Sequence, residues 1–247
     1  MKRIVAFVLL VSVLLGCTNA LAANGLKWRK YWLELLAPVQ QYDFDQYLLL
    51  LDAFHSEHPK LMNDDAYSSL RMLGEICGEI SSRFVREEDP FEQSFKLMPL
   101  SLSEVGEDEQ IVPHMNGTKA SFSMVTIAQK WWLAAKEAIF LSNAGDRVSV
   151  TLKLSDRTLE YTKSGDYMEI STSVFGYDLK SWETLLTNEK LTSIQVRYYG
   201  DDKKTYDYLL TENEVQAFRD VLTISTTQKQ LSDALQEWCR SIETVDE

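Results

Sequence analysis

The fold expected for this chain depends on residues 121–143, whose sequence is SFSMVTIAQKWWLAAKEAIFLSN. At helical spacing, the polar residues of this stretch fall on one narrow stripe: Gln129, Lys130, Lys136 and Glu137. Apolar side chains cover most of the remaining circumference of the helix. Because charged and amide residues interrupt the run, it suits a core helix better than a membrane span. The pattern therefore predicts a long central helix that is covered on more than one side.

The residues before this stretch, 23–84, show apolar residues at helical spacing in three segments. Asp43 with Gln46 resembles a capping box, and a further helix is expected to begin near Asn63. Short connections between the three segments predict a small antiparallel bundle. Residues 85–120 have no sustained period and are rich in acidic residues, so they are predicted to form an irregular acidic connection, either a solvated linker or a binding loop.

After residue 143 the pattern changes to alternation, as in Val148, Val150 and Leu152. Five such segments, with helical segments beside and after them, predict an α+β fold. After the last of them, Thr211 with Glu214 resembles a capping box for a helix through Leu222, and a final helix is expected after Thr227. In this fold an N-terminal helical bundle and a long central helix precede an antiparallel five-stranded sheet with flanking helices. Residues 121–247 would pack on the central helix and form one domain with residues 23–84. The element order from residue 121 is similar to that of class I type III secretion chaperones, an analogy that implies nothing about function.

The last predicted hairpin carries Tyr198, Tyr199, Tyr206 and Tyr208, which alternation places on both of its faces. Tyrosine is enriched at recognition surfaces. It is equally suited to cross-strand packing, which is the interpretation that the pattern favours.

The first 22 residues have the features of a secretory signal peptide. Lys2 and Arg3 precede an apolar core at residues 4–15, which is too short to span a bilayer. Leu14-Leu15-Gly16-Cys17 resembles a bacterial lipobox and favours lipidation of Cys17 after a signal of residues 1–16, with an anchor in the outer membrane. Ala20-Leu21-Ala22 resembles an ordinary cleavage site instead, and both processing routes remain open. Either route predicts a periplasmic location.

Two cysteines, Cys77 and Cys239, remain in the body of the chain. Export into an oxidising compartment permits a disulfide between them. Each also lies on or beside an apolar helical stripe, so two separate buried thiols are the alternative.

The chain carries a formal net charge of −12, which argues against nucleic acid and anionic lipid as partners and permits a basic protein partner. Common nucleophile, phosphate-loop and zinc motifs are absent from the sequence. His55 and His58 are two of only three histidines, the third being His114, so neither a metal nor a cofactor is expected. The adjacent or alternating carboxylates have the positions of helix caps and turns: Asp43 and Asp45, Asp64 and Asp65, and Asp201 and Asp202.

These features predict a non-catalytic, exported envelope protein that acts by binding another protein. Its most specific form is an inhibitor or immunity protein that neutralises a toxic periplasmic effector. The alternatives are an accessory lipoprotein or chaperone in envelope assembly, and a carboxylate-dependent hydrolase of cell-wall glycan.

Overall fold

The computed structural model describes residues 25–89, 94–102, 110–128, 132–153, 157–161, 165–175 and 179–243. The predicted signal peptide and Cys17 lie outside these residues. The described residues divide into two compact units, one of residues 25–39, 43–74 and 231–243, the other formed by the described residues within 40–42 and 75–230. The helices, in chain order, are α1 (Gly25–Gln40), α2 (Phe44–Glu57), α3 (Asp64–Ser81), α4 (Leu179–Thr187) and α5 (Glu212–Glu243).

The first unit is helical and contains α1, α2, the start of α3 and the end of α5. Asp43 caps α2 by accepting a hydrogen bond from the backbone N–H of Gln46 at 3.0 Å, as the sequence predicts. Inside the unit, the rings of Phe54 and Trp238 meet edge to face with centroids 5.3 Å apart. The hydroxyl of Tyr47 donates to the carbonyl of Leu70, so this buried tyrosine has a hydrogen-bond partner inside the unit.

The second unit contains two antiparallel sheets. The strands are β1 (Phe84–Asp89), β2 (Ser94–Pro99), β3 (Gln110–Asn116), β4 (Lys119–Ala128), β5 (Glu137–Ser142), β6 (Arg147–Thr151), β7 (Arg157–Tyr161), β8 (Tyr167–Val174), β9 (Ile194–Tyr199) and β10 (Thr205–Leu209). The six-stranded sheet has the order β1-β2-β3-β4-β8-β7, and the four-stranded sheet has the order β10-β9-β5-β6.

The prediction of a long central helix at residues 121–143 is wrong. The structure places β4 and β5 there, joined through residues 132–136. In β4 the buried residues Phe122, Met124 and Thr126 alternate with others, and in β5 Ala138 and Phe140 do the same. Apolar residues also occupy the intervening positions, so a two-residue period and a helical stripe fit the sequence equally well.

The single five-stranded sheet is also wrong, because residues 85–120 are not an irregular connection. Most of β1 and all of β2 and β3 lie within them. The turn from β3 to β4 has Gly117 at φ +54°, and the register pairs Asn116 with Lys119 across it. A two-residue hairpin loop beginning with glycine is a recognised turn signal that the sequence analysis missed. The resemblance in element order to secretion chaperones ends with this correction.

The C-terminal helix α5 is one helix of 32 residues, where two were expected. In the segment between the two expected helices, residues 223–227, the hydroxyls of Thr223, Thr226 and Thr227 donate to backbone carbonyls four residues earlier, at 2.7 to 2.9 Å. The hydroxyls are thus satisfied within the helix and do not end it.

The core of the second unit is an aromatic cluster contributed by both sheets and two helices. Phe122 of β4 and Phe140 of β5 meet edge to face at 5.6 Å, which packs one sheet on the other. Trp182 of α4 stacks on Phe218 of α5 at 5.4 Å, and its indole N–H donates to the carbonyl of Phe175. All five residues are at most 4% exposed, so this cluster fixes the orientation of the four-stranded sheet.

Candidate functional site

The four-stranded sheet has one buried face and one exposed face. Successive residues of a strand point to opposite sides, so the positions adjacent to the buried Phe140, Val196 and Tyr198 face outward. We call this outward surface the open face. Its positions are Glu137, Ile139, Leu141, Arg147, Ser149, Thr151, Gln195, Arg197, Tyr199, Thr205, Asp207 and Leu209.

Large apolar side chains are exposed on the open face. Leu209 is 62% exposed, Leu141 is 44% exposed and Tyr199 is 37% exposed. The strand register aligns Leu141, Gln195 and Leu209 in one row across three strands. Grouped apolar exposure of this kind on a rigid sheet is typical of a protein-binding surface, whereas single exposed leucines are common everywhere.

An ion pair lies in the next row of the open face. Both terminal oxygens of Asp207 accept hydrogen bonds from Arg197, from Nε and from Nη2, each at 2.6 Å. These hydrogen bonds hold the pKa of the Asp207 carboxyl below its usual range and raise the pKa of Arg197. The bidentate geometry orients the guanidinium plane, so the row presents a fixed polar group beside the leucines.

The segment before β5 supports the open face at one end. Gly200, which follows β9, lies so close to this segment that a Cβ there would be 1.9 Å from the carbonyl oxygen of Leu133. That carbonyl accepts a hydrogen bond from the backbone N–H of Asp201, and Lys136 forms an ion pair with the Asp201 carboxylate. Only glycine permits this close approach of two backbones.

A buried carboxylate fixes the same segment from the six-stranded sheet. Glu169 of β8 is 2% exposed, and its oxygens accept hydrogen bonds from the backbone N–H groups of Ala134 and Ala135 at 2.7 and 2.8 Å. Ala134 has φ +51°, a left-handed conformation that a non-glycine residue adopts only when its surroundings require it. Arg157 lies 3.7 Å from the Glu169 carboxylate and partly neutralises its charge.

A second buried carboxylate, Glu214, ties β10 to the rest of the unit. It accepts hydrogen bonds from the hydroxyl of Tyr208, from the backbone N–H of Ile111, and from the backbone and side chain of Thr211. Glu214 and Thr211 form the capping box that the sequence predicts. What the sequence did not indicate is that the same carboxylate joins β3, β10 and α5.

The four tyrosines of the last hairpin fall on both faces, as alternation predicts. Tyr198 is 1% exposed and packs against Tyr206 with ring centroids 5.8 Å apart. Tyr208 points to the same side and bonds Glu214, whereas Tyr199 lies on the open face. Three of the four rings therefore serve packing, and one is available for recognition. Arg197, Asp207 and Leu209 were not singled out, although the same alternation places them beside Tyr199.

The two cysteines are both buried and belong to different units, Cys77 to the second and Cys239 to the first. Burial raises the pKa of the Cys77 thiol to about 12, so this thiol is chemically inert near neutral pH. The disulfide between them remains a prediction.

The histidines do not form a common site in the described part of the chain. His55 stacks on Tyr67 at 4.1 Å, and its Nδ1 donates to the carbonyl of Met62. His58 caps the end of α2 and packs against Phe54. His114 belongs to the other unit, and no group of three or more metal-ligating residues occurs among the residues described.

The acidic pairs singled out in the sequence lie at helix starts and in a turn. Asp43 is the cap of α2, and Asp64 and Asp65 occupy the first turn of α3. Asp201 and Asp202 form the turn between β9 and β10, where Asp202 has φ +53°. These positions account for their spacing in the sequence.

Comparison of the chain with protein-family models, with curated proteins and with solved structures gives no match. Within the described residues, no helix combines the length and the apolar character needed to cross a membrane. The geometry of the open face is therefore the observation on which a functional argument depends.

Proposed function

We propose that this chain is an exported envelope protein that binds another protein through the open face and thereby neutralises a toxic periplasmic effector. The observation that carries the proposal is the grouping of exposed Leu141, Tyr199 and Leu209 around a fixed arginine–carboxylate pair. Tyrosine and arginine are enriched at the centres of protein interfaces, and apolar residues supply most of the buried area there.

Rigidity of the open face supports binding. Its strands are fixed from behind by Phe140 in the aromatic cluster and by Glu214, and laterally by the close approach at Gly200. A surface that is already ordered loses little conformational entropy when a partner binds.

Charge supports a basic partner. The chain has 37 acidic and 25 basic residues, and two of the basic residues, Lys2 and Arg3, lie in the leader. Complementary charge raises association rates at low ionic strength more than it raises affinity. Rapid capture suits a protein that must bind an effector before the effector acts.

The buried carboxylates support binding rather than catalysis. Glu169 and Glu214 hold backbone N–H groups, and Asp220 accepts hydrogen bonds from Arg83 and Gln216. Each is thus engaged with the protein itself. A general acid or base in a glycan hydrolase would instead face a substrate cleft.

The binding test compares two identical substitutions at leucines of similar exposure. Leu209→Asp changes the open face, and Leu49→Asp changes α2, where Leu49 is 65% exposed. The tagged full chain is expressed in its host, and proteins captured from the envelope fraction are quantified by mass spectrometry. We expect a basic protein to be captured by the wild type and by Leu49→Asp, and to be lost at least tenfold with Leu209→Asp. Equal capture of the basic protein by the wild type and both variants would show that the open face is not the binding surface.

The inhibitory role is tested separately from binding. The captured protein is directed to the periplasm of cells with and without this chain, and survival is counted. Protection by the wild type that Leu209→Asp abolishes is the expected result. A captured protein that is harmless alone would favour the assembly role instead.

Export and lipidation are tested by fractionation. The leader predicts that the protein leaves the cytosol, and Cys17→Ser should release it from the membrane fraction if Cys17 is lipidated. Recovery of unprocessed protein from the cytosol would contradict export. Unchanged partitioning of Cys17→Ser would favour cleavage after Ala22.

A further inference from the structure

Strand β6 is an edge of the four-stranded sheet. Its antiparallel neighbour is β5. Two backbone hydrogen bonds that flank the strand pair, from Ser142 N–H to the carbonyl of Asp146 and from Leu152 N–H to the carbonyl of Lys136, show which residues of β6 are hydrogen-bonded to β5. Because hydrogen-bonded pairs alternate along an antiparallel ladder, the residues of β6 whose backbone groups are hydrogen-bonded to β5 are Val148 and Val150. The N–H and C=O groups of the alternate residues, Arg147, Ser149 and Thr151, point away from β5, where no further strand lies among the described residues.

A groove follows this edge. It has a volume of about 260 Å³ and is lined by all of β6, by Ser173, Val174 and Phe175 at the end of β8, and by Ser181 and Trp182 of α4. Val174 is 49% exposed, so one wall of the groove is apolar and accessible. We call it the edge groove.

We propose that the edge groove binds an extended segment of the partner protein, which adds to β6 as a fifth strand of the sheet. The inference rests on the proposed function, because it takes the partner to be a protein. Outward N–H and C=O groups that alternate along a strand match the spacing of another extended chain, and strand addition is a common mode of peptide recognition.

The two edges of the six-stranded sheet are less suited to strand addition than β6. Strand β1 has four charged residues among its six, and β7 has two among five. Charges on an edge strand discourage pairing with another chain. Strand β6 has Ser, Thr and Val beside a single charge, Arg147, and Arg147 is also the one charged residue among those that line the edge groove.

The groove specifies the chemistry of the segment. Residues of the segment opposite Val148 and Val150 would lie on the inner side, where the small volume of the groove favours short apolar side chains. An antiparallel segment would run toward Arg147 and end beside it, which favours a carboxylate there. The carboxylate is either the C-terminus of the segment or an acidic side chain.

The test uses a displayed library of random octapeptides that end in a free carboxylate, selected on the full chain. Selected peptides are synthesised with free and with amidated C-termini, and their binding is measured by fluorescence anisotropy. Ser149→Pro removes an outward N–H and blocks strand addition without removing a bond to β5. The control is Leu49→Asp, which changes an exposed leucine of α2 that lies outside both the open face and the edge groove.

We expect the selected peptides to show alternating small apolar residues and a carboxylate at or near the C-terminus. Their affinity should fall at least tenfold with Ser149→Pro and stay unchanged with Leu49→Asp. Arg147→Glu should reverse the preference of the groove for peptides with a carboxylate at this position. If the amidated peptides do not bind, the carboxylate that the groove recognises is the C-terminus of the segment. Hydrogen exchange at Ser149 and Thr151 should slow when peptide is bound.

In the peptide experiments, the proposal would be overturned by the absence of any enriched peptide or by equal binding of the peptides to Ser149→Pro. Self-association of the wild type that Ser149→Pro abolishes would also overturn it, because that result would assign the edge to a second copy of this chain. If Ser149→Pro does not fold, as judged by circular dichroism, the proposal is tested by Arg147→Glu alone, and an unchanged preference for the carboxylate would contradict it. Partner capture that is lost with Leu209→Asp but kept with Ser149→Pro would end strand addition and leave the open face intact. Capture that is unaffected by either variant would end the proposed function as well.

Discussion

The two faces of the four-stranded sheet are built from the same strands, yet they have different roles. On the inner face Phe140, Val196 and Tyr198 are at most 1% exposed and pack into the core. One residue away along each strand, Leu141 and Tyr199 are accessible to solvent. The difference shows that apolar residues on this sheet cannot be treated alike, because only the parity of their position decides whether they are buried in the core or exposed on the open face.

The largest expected effect is on the inner face. Phe140→Ala removes a ring from the aromatic cluster and should lower the free energy of unfolding by about 3–5 kcal/mol, measured by urea denaturation. The neighbouring Ile139→Ala, on the open face, should cost less than about 1 kcal/mol. Similar losses from the two would contradict the distinction between the faces.

Glu214→Gln tests the anchor behind the open face. A neutral amide accepts weaker hydrogen bonds from Ile111, Tyr208 and Thr211, so the free energy of unfolding should fall by about 2 kcal/mol. The control is the exposed Glu212→Gln in the same helical turn, which should cost no more than about 0.5 kcal/mol. If Glu212→Gln proves as costly as Glu214→Gln, helix-end charge rather than the buried network explains the effect.

Gly200→Ala tests the support at the end of the face. Its methyl group would collide with the Leu133 carbonyl, and we expect thermal unfolding to show a loss of about 1–3 kcal/mol. Gly117→Ala is the control. A Cβ at Gly117 would meet nothing within 4 Å, so its cost of about 1 kcal/mol comes from φ +54° alone. A smaller loss for Gly200→Ala than for Gly117→Ala would show that the segment around Leu133 moves freely.

His114 should give the second unit a pH dependence. Burial lowers the pKa of this imidazole and outweighs the opposing effect of the hydrogen bond from its Nδ1 to the Val112 carbonyl, and the charge of Lys96 lowers the pKa further, so the folded chain favours the neutral ring. Below the ordinary histidine pKa of about 6.5 the unfolded chain binds more protons, so stability should fall as pH falls through this range. His114→Gln should flatten that slope in urea titrations between pH 7 and pH 5. An identical slope in the variant would assign the pH dependence to other groups.

The smallest expected effect on stability is on the open face itself. Leu209→Asp should change the free energy of unfolding by less than about 0.5 kcal/mol, because Leu209 is mostly solvated already. The same variant is expected to abolish partner capture. A large loss of stability would mean that Leu209 belongs to the core and is not a recognition residue.

Strands β6 and β9 could be predicted because their alternation is clean. In β6, Val148 and Val150 alternate with polar residues, and in β9 Arg197 separates Val196 and Tyr198. In contrast, β4 and β5 have apolar residues on both sides, which removes the two-residue period from the sequence. The dipeptide Asn116-Gly117 is a local signal of the β3–β4 hairpin, and the hairpin was not predicted from it.

The candidate site could be predicted only in part. Alternation places the side chains of Tyr198 and Tyr199 on opposite faces of the sheet, and this follows from the sequence. That Leu141 lies in one row with Leu209 required the pairing of β5 with β9, two strands more than fifty residues apart in the chain. Pairing between distant strands depends on how the whole sheet closes, and local propensity contains no information about it.

By itself, the sequence determined the α+β class, the caps at Asp43 and Thr211, the last hairpin and the acidic charge, because each depends on residues close together in the chain. The tertiary structure decided that residues 121–143 form two strands, since apolar residues at neighbouring positions fit a strand as well as a helix. It also decided that Glu169 holds Ala134 and Ala135 and that Glu214 joins three elements. A buried carboxylate finds its donors across space, and no spacing along the chain records which donors those are.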